Sequence, residues 1–342
     1  MNAAALPTVD IIIPTRNRGS LIEVTITSIR ASEGVEFTLW VVDQSDDERT
    51  ALVVEQHARS DARIRYVGSD SRGISSARNI GAAAGHAPYI LYTDDDCRVD
   101  PGWAAAMVAE LSRPEIWTAF GRVLPERAEN SAEPATDDHD HPTYVGIALA
   151  QKLSMERKIY GENRLDLSFG HGANMGLRRD RLTQIGGFDE QLGVGGPLRS
   201  WEDRDIAFRI MTAGGKLVYT PDALVYHRLW RNWAGIARTF ADYGIGAGAT
   251  AGKYLRYGDW AGALLMGEWM LSQGLRQALS GAVKWRSHRK LALGLKQLFY
   301  PWMGLWMSWG YPLSDEHQIY RPQGTAPAAE AERARASSDG RL

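Results

Sequence analysis

Three consecutive aspartates, Asp94, Asp95 and Asp96, follow an apolar run that reads Tyr-Ile-Leu-Tyr-Thr. A run of this kind is typical of a buried strand. Three like charges at the end of a strand repel one another unless a cation neutralises them, and Mg²⁺ binds through carboxylate oxygens together with substrate phosphates. The end of a strand in an α/β sheet is also where ligands bind. A solvated acidic turn is the alternative, and the triplet alone leaves both open.

Two other predicted strands end in groups that could contact a nucleotide. The strand at residues 9–14 ends in a proline turn with two basic groups, Arg16 and Arg18. The strand at residues 38–43 ends in Asp43, whose carboxylate could reach ribose hydroxyls or a base N–H. Arg16 could equally be a surface charge, and Asp43 a turn residue.

Several later segments are short and polar. They read Gly-Ile-Ser-Ser-Ala-Arg-Asn at residues 73–79, Gly-His-Gly-Ala-Asn at 170–174, Ile-Gly-Gly-Phe-Asp at 185–189, Trp-Glu-Asp at 201–203 and Val-Tyr-His at 225–227. The first opens a helix, and the amides at a helix N-terminus suit an anion. Acids also prefer the first turn of a helix as caps, so Glu202 and Asp203 have a structural alternative. His227 could be an ordinary, partly buried histidine.

Together and in this order, the segments resemble those of the family 2 glycosyltransferases, which have the GT-A fold. The resemblance covers roughly residues 9–230 and includes an Asp-x-Asp motif at the aspartate triplet. It implies a set of residues around the nucleotide, donor sugar and acceptor, made of Pro14, Thr15, Arg16, Asp43, Arg78, Asp94, Asp95, Gly172 and Asn174.

The same resemblance implies a metal site and a catalytic base. It places Mg²⁺ or Mn²⁺ on Asp96, Asp94 and His227, and it makes Asp203, with Glu202 beside it, the catalytic pair. A divalent metal stabilises the charge that develops on a diphosphate leaving group. A base takes the proton of the attacking hydroxyl. One base without an enzyme nucleophile gives a single displacement, which inverts the anomeric centre.

The elements that must position these residues alternate between strand and helix up to about residue 230. Strands are predicted at residues 9–14, 38–43, 63–67, 88–93, 117–124 and 216–219, the last extended by 225–227. Helices are predicted at residues 20–31, 48–59, 74–84, 103–111, 147–159 and 201–213. This alternation predicts βαβ units and a doubly wound, mostly parallel α/β sheet in a GT-A domain over residues 1–230.

Residues 231–320 are predicted to form a helical, basic and Trp-rich extension, with helices at 233–255 and 261–285. From Arg228 to Leu313 the sequence has eleven Lys or Arg residues, three acids and eight of the twelve Trp residues. That composition favours an anionic membrane surface as partner, and a helical cap on the sheet is the alternative. Residues 321–342 are rich in Ala, Glu, Arg, Ser and Gly and are predicted to be disordered.

The run at residues 291–313 has one charge, Lys296, and is just long enough to span a bilayer. Pro301 in its middle and the many aromatic residues favour instead a broken helix that lies in the membrane interface.

Composition sets further bounds on the partners and the compartment. The formal net charge of the 342 residues is −2, so the whole chain suggests no nucleic-acid partner. The single cysteine, Cys97, excludes an intramolecular disulfide and fits a reducing compartment. No signal peptide is recognised. We therefore expect a cytoplasmic protein, peripheral on the cytoplasmic face of the inner membrane.

The predicted function is inverting, metal-dependent transfer of a sugar from a nucleotide-sugar, with UDP as the default base. The acceptor is expected to be a hydroxyl of a glycan or of a lipid-linked acceptor, in the synthesis of cell-surface polysaccharide or glycoconjugates. The alternatives are a catalytically inactive, transferase-like membrane scaffold and a sugar-nucleotide pyrophosphorylase, although Pro14 to Asn17 stand where the latter has a glycine-rich loop. A further acidic and histidine-rich cluster at residues 137–141 is more typical of a solvated loop than of a metal site.

Overall fold

The computed structural model describes residues 5–126, 153–228 and 231–324. The chain divides into two compact units. The first contains Met1–Phe188 and Glu202–Ala237, and the second contains Asp189–Trp201 and Arg238–Leu342. The boundary predicted at residue 230 lies just before Ala237, after which the chain enters the second unit for the last time. The predicted domain extents stay a prediction.

In the first unit, nine strands of the described residues form one mixed sheet. They are β1 (Thr8–Thr15), β2 (Glu36–Asp43), β3 (Ile64–Gly68), β4 (Tyr89–Thr93), β5 (Cys97–Val99), β6 (Ile116–Glu126), β7 (Lys158–Tyr160), β8 (Asn174–Arg178) and β9 (Lys216–Arg228). The strand order is β3-β2-β1-β4-β8-β6-β9-β5, with β7 also paired to β9. Strands β3, β2, β1 and β4 run parallel, whereas β8 is antiparallel to both of its neighbours.

Helices cover both faces of this sheet. They are α1 (Gly19–Arg30), α2 (Arg49–Ser60), α3 (Ile74–Ala84), α4 (Trp103–Leu111), α5 (Arg179–Gln184) and α6 (Glu202–Thr212). Successive side chains of a strand point to opposite faces, so Ile11 and Ile13 join the core beneath α1, α2 and α4, while Ile12 joins the core beneath α3 and α6. The predicted α/β, doubly wound class is confirmed.

The structure corrects one predicted element of this unit. The helix predicted at residues 147–159 is wrong in its described part, because Lys158–Tyr160 form strand β7. Tyr160 pairs with Leu217 of β9, so a tertiary pairing overrides the local preference. Residues 147–152 and the acidic cluster at 137–141 lie outside the described residues.

The second unit consists mainly of helices, so the predicted helical extension is confirmed. Its helices are α7 (Trp233–Arg256), which begins in the first unit, then α8 (Ala261–Trp269), α9 (Arg276–Leu279) and α10 (His288–Ser308). Two π-helical segments, Met270–Leu275 and Ser280–Lys284, flank α9. None of the described helices is both long and apolar enough to cross a bilayer.

The predicted break at Pro301 is wrong, because α10 runs through this residue. A proline inside a helix removes one backbone hydrogen bond and crowds the preceding turn. Close packing against α7 opposes that cost. A Cβ added to Gly248 would meet the carbonyl oxygen of Pro301 at 1.7 Å, and one added to Gly304 would meet that of Ile245 at 1.9 Å. The two backbones therefore approach closely only because glycine stands at both positions.

A fully buried ion pair fixes the start of the segment Asp189–Trp201 in the second unit. Lys253 Nζ on α7 lies 2.8 Å from Asp189 Oδ2, and both side chains are 0% exposed. The backbone N–H of Tyr320 donates to the same oxygen over 2.9 Å. This segment leads directly into α6, so the pair anchors the residue from which that connection begins.

We predict that Lys253→Met destabilises the protein by about 3–5 kcal/mol, because it leaves the Asp189 carboxylate buried without its cation. Chemical unfolding followed by circular dichroism measures the change. Lys296→Met, at a half-buried position on α10, is the matched control. Equal stability of the two variants would contradict the assignment.

Candidate active site

Strand register brings most of the predicted site residues to one edge of the sheet. Thr15 and Asp43 are paired residues at the ends of β1 and β2. The aspartate triplet begins directly after β4, whose last residue, Thr93, pairs with Asn174. His227 of β9 pairs with Cys97, which follows the triplet. The separated motifs thus meet because neighbouring strands end together.

A basic residue that sequence reasoning left out of the site holds the aspartate triplet. The guanidinium of Arg18 donates to Asp95 over 3.1 Å and to Asp96 over 2.9 Å. Thr15 Oγ1 also donates to Asp95 over 2.8 Å. Burial raises the pKa of Asp95 to about 7, although the positive charge of Arg18 opposes this shift. Arg18 therefore offsets part of the repulsion that the sequence of three acids predicts.

A group of possible metal ligands lies beside this ion pair. One side-chain atom each of Asp96, Cys97 and His227 lie within 4.8 Å of one another. His227 Nε2 is 3.4 Å from Asp96 Oδ1. The buried His227 Nδ1 has no hydrogen-bond partner among the described residues. Burial raises the pKa of the Cys97 thiol well above its usual value, so that sulfur stays protonated at neutral pH.

Arg78 of α3 joins the aspartate triplet to the Glu-Asp pair. Its guanidinium, which is 1% exposed, donates to Glu202 Oε1 over 2.9 Å and to the Gly172 carbonyl over 3.2 Å. It also lies 3.6 Å from Asp94 Oδ1. A Cβ at Gly172 would meet the guanidinium at 2.7 Å, so a larger residue at this position would displace Arg78. Arg78 is thus a buried link between two acidic motifs that lie far apart in the sequence.

The two adjacent acids at the start of α6 have opposite pKa shifts. Burial, and then the neighbouring charge of Asp203, raise the pKa of Glu202 to about 7. Burial would also raise the pKa of Asp203, but Arg204, His171 and the Gly172 amide together hold it below its usual value. That amide donates to Asp203 Oδ2 over 2.9 Å. Asp203 is therefore ionised at neutral pH and can accept a proton.

Neighbouring side chains orient Asp43 at the end of β2. Its carboxylate accepts a hydrogen bond from the Ser45 amide over 2.9 Å and one from the Tyr66 hydroxyl over 3.2 Å. Pro14 lies in β1, beside Val42. Arg16, by contrast, points into an exposed cluster, where its guanidinium lies 3.0 Å from Asp46.

Asn174 is fully buried, and its amide bonds within the protein. It accepts from the Trp103 indole over 2.7 Å and donates to the carbonyls of Arg122 and Ala223 over 2.8 Å each. These bonds tie β8 to α4, β6 and β9. That Arg16 and Asn174 contact the donor stays a prediction, as do the ligand contacts of the other site residues.

The sequence of this chain matches one family model over more than half of its length. The model described as "Glycosyl transferase family 2" matches residues 10–186, just over half of the sequence. The chain belongs to glycosyl transferase family 2. The matched residues include Asp43, Arg78 and the aspartate triplet, while the Glu-Asp pair of this family 2 glycosyltransferase lies beyond the match.

Characterised relatives include other glycosyltransferases. The glucosyl-dolichyl phosphate glucuronosyltransferase of Haloferax volcanii is 22% identical over 209 residues, which are 60% of this chain and 64% of that protein. The pre-mycofactocin glycosyltransferase of Mycobacterium tuberculosis is 26% identical over 224 residues, 64% of this chain and 42% of that protein. The family 2 chain thus matches less than two thirds of the length of either relative.

A solved structure supports the fold class. The mannosyltransferase PcManGT from Pyrobaculum calidifontis, in complex with GDP-Man and Mn²⁺, superposes with a TM-score of 0.59 and 16% identity. The superposition covers 89% of this chain and 88% of that one. The GT-A fold predicted for this family 2 glycosyltransferase is confirmed.

Proposed function

We propose that this protein transfers a sugar from a nucleotide-sugar to a hydroxyl of a glycan or lipid-linked acceptor, with inversion and with a divalent metal. The observation that carries the proposal is the link through Arg78. It joins Asp94, at the predicted donor motif, to Glu202, beside the predicted base. Family membership sets the reaction class, and this geometry supports the roles of the individual residues.

The residues at the edge of the sheet fit a hard divalent cation. Asp96 supplies a buried carboxylate, and His227 a buried imidazole whose Nδ1 has no partner among the described residues. Asp94 Oδ1 is buried and also without a hydrogen bond there. Carboxylates suit Mg²⁺ and Mn²⁺, whereas the protonated Cys97 thiol is a poor ligand for either. A bound cation would supply Lewis-acid stabilisation of the diphosphate leaving group.

The protein residues supply positioning and proton transfer. Asp203 accepts the proton of the acceptor hydroxyl. At the same time the acceptor oxygen bonds to the anomeric carbon, and the bond from that carbon to the nucleotide diphosphate breaks. The Gly172 amide and Arg204 keep Asp203 ionised and oriented. Asp43 and Thr15 lie where the nucleoside would bind, at the ends of β2 and β1.

The acceptor class is a finer part of the proposal. The relative from Haloferax volcanii is named for a sugar carried on dolichyl phosphate. That name supports a lipid-linked acceptor, and it leaves the sugar and the linkage to experiment. UDP is the first nucleotide to test, followed by GDP and dTDP.

Calorimetric titration of the full chain with UDP, GDP and dTDP, each with and without Mn²⁺, tests the proposal. We expect metal-dependent binding of one nucleotide, and hydrolysis or transfer of the corresponding nucleotide-sugar with inverted configuration by NMR. Folded protein that binds none of the three nucleotides would contradict the nucleotide-sugar donor. A product that retains its configuration would contradict the single displacement.

A further inference from the structure

The second unit carries two lines of exposed apolar side chains on helical segments that pack against each other. On the segment from the residue before α8 to the second π-helical segment they are Trp260, Leu264, Leu271, Leu275, Leu279 and Val283. On α10 and just beyond it they are Leu295, Phe299, Trp302, Met303, Trp306 and Trp309. Trp260 and Trp306 are each 76% exposed and Val283 is 75% exposed. Soluble surfaces rarely concentrate large apolar residues in this way, so the feature marks an interaction surface.

Small residues explain why the large ones point outward. A Cβ on Gly274 would meet Leu298 at 2.6 Å, and one on Gly294 would meet the Ala278 amide nitrogen at 2.3 Å. The contact between the two helical segments is therefore lined by glycine and alanine. The bulky side chains at the spacing of three to four residues are left on the solvent side.

Charge around these lines favours an anionic partner. Between Trp260 and Trp309 the chain has six Lys or Arg residues and a single acid, Glu268. Arg276, Lys284 and Arg286 are exposed beside the apolar positions. Basic residues next to a lipid surface gain free energy from anionic headgroups.

From these observations we propose that the two lines of exposed side chains bind the surface of a bilayer that contains anionic lipid. Trp is enriched at the level of the lipid headgroups, and four of the twelve apolar positions are Trp. On such a surface the described helices, none of which is long and apolar enough to cross a bilayer, would lie in the plane of the interface. The last 18 residues of the chain contain one large apolar residue, Leu342. The inference does not depend on the proposed catalytic function.

Flotation of the full chain with vesicles tests this proposal. We expect the protein to float with phosphatidylcholine vesicles that contain phosphatidylglycerol, and to float weakly with phosphatidylcholine alone. The triple variant Phe299→Ser, Trp302→Ser, Trp306→Ser should lower partitioning by about tenfold or more, because buried apolar area sets interfacial affinity. Leu52→Ser, at an exposed apolar position on α2, is the matched control and should bind normally.

A second variant separates charge from apolar contact. Neutralising Arg276, Lys284 and Arg286 to Gln should lower binding to the anionic vesicles by about fivefold per residue at low salt, and should not change binding to the neutral ones. In the wild-type protein, lipids with a spin label on the acyl chain should quench part of the Trp fluorescence. This measurement keeps the proposal testable if a variant fails to fold.

Several outcomes would overturn the proposal. One is wild-type protein that stays at the bottom of the gradient with every vesicle. Another is equal flotation of the wild type and the aromatic variant. A third is a concentration-dependent dimer, seen by sedimentation, that the aromatic variant dissociates while no vesicle is bound. The last result would assign the surface to a second copy of the chain.

Discussion

Replacing Asp203 by asparagine should lower kcat by about 10²–10⁴-fold, the usual effect of losing a positioned general base. Asparagine keeps the shape of the side chain and can still accept the hydrogen bond from the Gly172 amide. Nucleotide binding should therefore remain near the wild-type value, since Asp203 lies outside the predicted donor set. Initial rates and calorimetric titration of the same preparation measure the two effects. Glu202→Gln is the matched comparison, because it alters the neighbouring acid and keeps an acceptor for Arg78.

The pH profile separates the two acids as candidates for the base. If Asp203 is the base, its lowered pKa places the acid limb of kcat on the acid side of the usual range of an aspartate. If Glu202 is the base, the limb lies near its pKa of about 7. Arg204→Gln removes a positive charge that favours ionised Asp203, so the pKa of Asp203 rises and the acid limb moves to higher pH. An acid limb that lies near pH 7 and keeps the same position in Arg204→Gln would assign the base to Glu202.

Replacing Asp96 by asparagine should abolish the metal-dependent part of nucleotide binding. Asp96 has the buried carboxylate nearest to His227, and it follows a strand end at which neighbouring motifs meet. Changing residues that only support a metal ligand already costs about 10–100-fold in affinity, so loss of the ligand itself should cost at least as much. Calorimetry with nucleotide and Mn²⁺ should give the variant the same weak binding that the wild type shows in EDTA.

A charge-matched control makes this result interpretable. Asp180→Asn removes an equally negative, largely exposed side chain that pairs with surface arginines at the opposite end of β8. It should bind metal and nucleotide as the wild type does. If Asp96→Asn binds as the wild type does and Asp94→Asn loses metal-dependent nucleotide binding, the cation would be assigned to Asp94.

The sequence predicts the elements best where local pattern and tertiary packing agree. Helices α3 and α4 begin and end at the predicted residues, because small or apolar positions and clear boundaries define both. Strands β5 and β7 have three residues each, which is too short for a pattern to appear. Both exist because β9 is long enough to pair with them. The helix break predicted at Pro301 was wrong for a similar reason. The local sequence does not show that the glycines of a facing helix pack against this residue.

The acids of the candidate site, and Arg78 as a member of it, were predictable from the sequence, whereas the contacts made by the cations were not. Strand ends indicated Asp43 and the triplet, since parallel strands end at one edge. Arg16 and Arg18 stand two residues apart in one turn, and nothing in their order tells which contacts the triplet. The structure selects Arg18. Likewise, no spacing in the sequence relates Arg78 to Glu202, because they lie 124 positions apart.

The segment Asp189–Trp201 has a consequence for how this protein can be shortened or recombined. Because it folds with the C-terminal helices, the backbone passes between the two units three times, after Phe188, Trp201 and Ala237. A stop codon after residue 237 would therefore remove Lys253 and Tyr320. Asp189 would then lack both of these partners. The two units alternate along the sequence, so a single crossover between genes cannot exchange the C-terminal one. We expect the two units of this chain to have been inherited together.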